Sequence, residues 1–120
     1  MDYQFIEPQK IKDMLFDDAE YVIEFCEAGL SSFGEFEEGF GTHLRDRNME
    51  ELRKAGHKIK PGAQMMGADE VIEEYERAKE LLENDASDQE LDDSIDTMEG
   101  YCNSIKDELK TLAKAEKANS

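Results

Sequence analysis

One hundred and twenty residues suffice for a single domain with one core, and are too few for a catalytic domain joined to a regulatory one, so any catalytic machinery the chain lacks must come from a partner. Thirty-one acidic residues against fourteen basic ones give a net charge of −17, which argues against a nucleic-acid or anionic-membrane binder, while 38% hydrophobic residues place the acidity on a folded surface. No apolar run approaches the roughly 18 residues of a membrane span and the start is polar and acidic, so a cytoplasmic protein is expected.

The apolar residues recur at three and four along the whole chain, only Pro8 and Pro61 interrupt, and no strand-like alternation is sustained. The expected class is all-α. A short helix opening at Pro8, with Ile11 and Leu15 inward, caps one end. The first long helix carries Val22, Cys26, Gly29, Phe33, Phe36, Phe40 and Leu44 on one stripe, opened by the capping pair Asp17 and Glu20. Gly34, Gly39 and Gly41 lower its propensity by about 1 kcal/mol each relative to Ala, so packing must hold it. The second helix runs from about Asn48, capped with Glu51, to about Met66, on a stripe of Leu52, Ala55, Ile59, Ala63 and Met66. Gly67 is the hinge to a third helix from about Ala68 to about Asn84, whose stripe is Val71, Tyr75, Ala78 and Leu82.

The last helix opens with the capping box Ser87 and Glu90 and continues through Leu91, Ile95, Met98, Cys102, Ile105, Leu109 and Leu112. Four amphipathic helices joined by short loops predict an antiparallel up-and-down four-helix bundle with a short additional N-terminal helix. The predicted division is an N-terminal segment over 1–16, the bundle over 17–113 and a frayed end over 114–120. Its core is expected to contain Phe25, Phe33, Phe36, Phe40, Ile59, Val71, Tyr75, Leu82, Ile95, Met98, Ile105 and Leu109. Cys26 and Cys102 form neither a disulfide framework nor a metal cluster and are read as reduced, packed thiols.

The second helix is the informative one. Advancing 100° per residue puts His57 roughly 160° from the centre of the core stripe, pointing at solvent. Arg53, Lys60, Pro61 and Gln64 share the outer face within one or two turns. Residues 45–60 hold six basic against three acidic side chains, a +3 window in a −17 chain where an anion can arrive. Spacing alone does not separate this from an ordinary solvated face. His43 has no partner at metal-ligand spacing and reads as a surface residue, Met65 and Met66 as packing, and adjacent acidic pairs as solvated surface.

The stretch His57 to Gly67, H-K-I-K-P-G-A-Q-M-M-G, resembles the signature of histidine phosphotransfer (HPt) domains. His57, Ile59, Lys60, Gly62, Ala63 and Gly67 fit it, Leu52 falls on an apolar core position, and Pro61 departs from it, standing where the family usually has Gly. The resemblance implies a helical bundle that relays a phosphoryl group between receiver-domain aspartates of a two-component phosphorelay. It implies His57 as phosphoacceptor and Lys60 as the charge that stabilises the phosphoryl group. Small residues Gly62 and Ala63 keep the helix surface low, and Arg53, Lys54, Lys58, Pro61, Gly62 and Gln64 meet the partner. The implied partners are a response-regulator receiver domain, which brings the divalent metal, and a sensor or hybrid histidine kinase. The chain itself, expected to be monomeric, needs no metal or cofactor and no kinase or phosphatase activity. The alternative is a degenerate module that binds a receiver or kinase without carrying phosphate.

Overall fold

The computed structural model describes residues 3–119. Those residues form five α-helices and no strand: α1 (Pro8–Met14), α2 (Ala19–Arg45), α3 (Met49–Met66), α4 (Asp69–Glu83) and α5 (Asp88–Asn119). α2 packs against α3 and α5, α4 packs against the same two helices, and α1 rests on α3, giving a helical bundle about 50 × 23 × 18 Å.

The helix starts follow from short polar side chains that accept otherwise unpaired N–H groups. Asn48 accepts from Glu51 N at 3.1 Å. At α5 Glu90 N donates to Ser87 Oγ at 3.2 Å, while Glu90 Oε1 reaches back to Ser87 N at 3.5 Å. The cap of α2 is Asp18 and not Asp17: Asp18 Oδ1 accepts from Tyr21 N at 3.2 Å. Asp17 stands in the preceding turn with φ 54°, so its backbone cannot begin the helix. With two aspartates in succession, the cap is decided by how α1 ends.

The first four helices end alike. An N–H donates back five residues, from Asp17 to Lys12 (2.7 Å), Asn48 to His43 (2.9 Å), Ala68 to Ala63 (2.8 Å) and Ala86 to Leu81 (2.9 Å). Each bond encloses one left-handed residue, respectively Phe16, Arg47, Gly67 and Asp85. Gly67 alone of the four has no Cβ for that conformation to crowd.

The core joins Ile11 of α1, Phe33, Phe40 and Leu44 of α2, Leu52 and Met66 of α3, Val71 of α4 and Leu91, Met98, Ile105 and Leu109 of α5, all buried. Phe36, Ile59, Tyr75 and Ile95 are buried with them. Phe25 and Leu82 are only half-buried at its margin, because Phe25 sits 100° off the stripe through Cys26 and Leu82 lies in the last turn of α4. Both thiols are free and buried, and burial pushes Cys26 up to about 11 and Cys102 up to about 12.

Two features tie the chain ends to the bundle. The Glu108 carboxylate accepts the consecutive N–H groups of Gln4, Phe5 and Ile6 at 3.0–3.3 Å, Phe5 lies on Tyr101 with ring centroids 5.7 Å apart, and Glu7 N donates to Met66 O at 2.8 Å. At the other end α5 continues through 114–119, where Glu116 is buried and its carboxylate meets Lys12 Nζ at 3.1 Å.

Candidate functional site

α3 divides into two faces. Leu52, Gly56, Ile59, Ala63 and Met66 are buried, while Arg53, Lys54, His57, Lys58, Pro61 and Gln64 are exposed and Lys60 and Gly62 half-buried. His57 therefore stands outward with Lys60 one turn beyond it. Ala63 is wholly buried and faces the core, so it does not lower the outer surface; that role falls to Gly62, around which an added Cβ would meet nothing within 4 Å. Pro61 lies inside α3, which continues past it to Met66, and its missing N–H leaves the His57 carbonyl without its helical donor.

The buried face is held close to α4 by a glycine. The Tyr75 ring occupies the space that a side chain at position 56 would need, and its hydroxyl donates to Arg53 O at 3.5 Å. Gly67 closes α3 with φ 77°, and the Glu7 side chain fills the place of its missing Cβ.

Three of the outward cations are paired. Arg53 meets Glu83 at 3.6 Å. Lys54 meets Glu51 at 3.2 Å and Glu50 at 3.7 Å, contacts that raise its pKa, the Glu51 hydrogen bond most. Lys60 Nζ lies 3.4 Å from Glu76 Oε1 on α4, and the other oxygen of Glu76 takes Lys79 Nζ at 3.0 Å. The Lys79 hydrogen bond, with help from Lys60, holds the Glu76 carboxyl below its ordinary value.

A shallow depression on this face is lined by Met49, Glu50, Arg53, Lys54, His57 and Lys58. Beside it a cleft of about 460 Å³ opens between α2 and α3, with Phe36, Ala55 and Ile59 among its lining and Glu35, His43, Glu51, Lys54 and Lys58 supplying charge. His43 is thus part of a cleft wall beside Gly39, half-buried, and not a plain surface residue. The sequence carries no local sign of this, because the cleft exists only once α2 and α3 are paired.

Among the described residues no group of three or more His, Cys, Asp or Glu side chains could hold a metal ion, and no helix is long and apolar enough to cross a membrane. What the face offers is an accessible imidazole, an ammonium one turn away and a surrounding of basic side chains, which suits a neutral nucleophile meeting a phosphoryl group. No curated protein and no solved structure matches the chain. The family model described as Hpt domain matches residues 10–115, nearly the whole of α1 to α5. The chain belongs to the Hpt domain family, which has a phosphotransfer role in phosphorelays and works with receiver domains and histidine kinases.

Proposed function

We propose that the protein is a phosphorelay intermediate in which His57 carries the phosphoryl group. The observation that carries this reading is the outward His57 on α3 with Lys60 one turn on, inside the signature His57–Gly67 and inside the basic window. The neutral imidazole attacks phosphorus of an aspartyl phosphate on a receiver domain, the P–O bond to the aspartate breaks, and the carboxylate leaves with the electron pair. Lys60 offsets the charge of the phosphoryl oxygens. The reverse step passes the group to a second receiver aspartate, so the chain is a carrier and has no kinase or phosphatase activity of its own.

The docking face comprises Arg53, Lys54, Lys58, Pro61, Gly62 and Gln64, and the divalent metal of the reaction belongs to the receiver. The protein works as a cytoplasmic monomer with no cofactor. Its scaffold is an antiparallel up-and-down bundle of α2, α3, α4 and α5, a reading supported by the ring of contacts among those helices and their short connections. Incubation with a receiver domain phosphorylated by its kinase tests the proposal: the wild type acquires acid-labile phosphate, and the reading fails if it acquires none. Pro61 favours one second reading, a module that docks receivers without accepting phosphate, because its exposed ring stands one turn after the acceptor. In that case the wild type would bind receivers and stay unphosphorylated while Pro61→Gly gained phosphate.

A further inference from the structure

Lys60 does not stand free beside His57. Its ammonium lies 3.4 Å from one oxygen of Glu76, and the second oxygen of that carboxylate is 3.0 Å from Lys79 Nζ. Lys79 is itself fixed: it is three-quarters buried and sits 4.7 Å from the centroid of the Tyr75 ring, the ring that packs on Gly56 directly before His57. One carboxylate therefore bridges two lysines on neighbouring helices, a more exposed one a turn from the acceptor and a more buried one behind it.

A carboxylate and a phosphoryl group make the same demand on an ammonium, a negative oxygen at hydrogen-bond distance. Glu76 and a phosphoryl group on His57 would thus compete for Lys60. We propose that Glu76 is a positioning residue of the phosphotransfer site, holding Lys60 while His57 is bare and releasing it to the phosphoryl group, with Lys79 keeping the carboxylate neutralised once Lys60 has moved. This rests on the reading of His57 as the phosphoacceptor. Lys60 and Glu76 are each rather less than half exposed, so solvent screens the contact and its hold is modest. Lys79 decides the balance: by taking part of the Glu76 charge it weakens the grip on Lys60.

The test uses the whole chain with phosphoramidate as donor, so that no partner protein affects the outcome. The imidazole lone pair forms an N–P bond, the P–N bond of the donor breaks with its electron pair going to the departing ammonia, and that ammonia takes up the proton the ring gives up. Phosphohistidine is followed by its phosphorus resonance in the wild type, Glu76→Gln, Lys79→Ala, Lys60→Ala and Lys60→Ala/Glu76→Gln. Glu76→Gln should accept phosphate about threefold to fivefold faster, the scale of a screened ion pair, and Lys79→Ala should be slower by a similar factor. In the Lys60→Ala background Glu76→Gln should change nothing. A merely structural role would move both single variants the same way, and that result overturns the proposal. So does an equal effect of Glu76→Gln with and without Lys60. A reactive wild type with an unchanged Glu76→Gln removes this inference alone, whereas a wild type inert both to phosphoramidate and to a phosphorylated receiver removes the reading of His57 together with it.

Discussion

Gly56 and His57 are adjacent in sequence and belong to opposite worlds. A turn of 100° carries the chain from a buried glycine pressed by the Tyr75 ring to an imidazole in solvent. The comparison separates what the fold needs from what the chemistry needs: position 56 is dictated by the approach of α4, and position 57 is left free by the fold.

The two positions should therefore fail in opposite ways. His57→Gln is expected to abolish phosphoryl acceptance with a melting temperature within experimental error of the wild type, because an exposed side chain adds little to the core. Retained acceptance would break the comparison, and His43→Gln, altering the cleft wall, supplies the control that keeps accepting phosphate. Lys60→Ala should slow transfer from a phosphorylated receiver by about a hundredfold to a thousandfold, the cost of about 2.7 to 4 kcal/mol seen when a preorganised charge-stabilising donor is removed. Measured in single turnover, a loss under tenfold would take Lys60 out of the site.

On the buried side, Gly56→Ala forces its methyl group into the Tyr75 ring, and should cost about 1 to 3 kcal/mol in chemical denaturation as α4 is displaced. Any loss of transfer should be secondary to that displacement; an unchanged midpoint would show that Tyr75 swings aside freely. Pro61→Gly lies between the two regimes. It should restore a helical N–H toward the His57 carbonyl and alter the transfer rate by at most about tenfold, equivalent to about 1.4 kcal/mol in barrier. A larger gain would identify the ring as an obstruction to the incoming aspartate.

The helices were legible in sequence because their starts and stripes are local. Asn48, Ser87 and Glu90 act within three residues, and the 100° step that buries Ile59 also exposes His57. Where the sequence misled, a distant partner decided the outcome. Asp17 and Asp18 are equivalent as letters, and the left-handed turn that ends α1 makes the second one the cap. Ala63 fits both a core stripe and a smooth docking face, and packing gives it wholly to the core. Residues 3–7 carry no periodicity at all, so nothing in them announces Glu108, a hundred positions away. For the same reason His57 and Lys60 could be read from one helix, whereas Glu76, Lys79 and the cleft around His43 arise only from pairing helices.

The left-handed caps and the thiols bear on measurement. Cys26 on α2 and Cys102 on α5 are buried and held far from ionisation, so an alkylating reagent near neutral pH meets almost no thiolate in the folded state. Labelling must wait for the bundle to open, which makes the two cysteines a built-in clock for opening events, one on each of the two longest helices. Replacing the exposed, left-handed Phe16 by Gly should relieve strain at the end of α1 and slow that clock at Cys26, the thiol on the helix into which the turn leads.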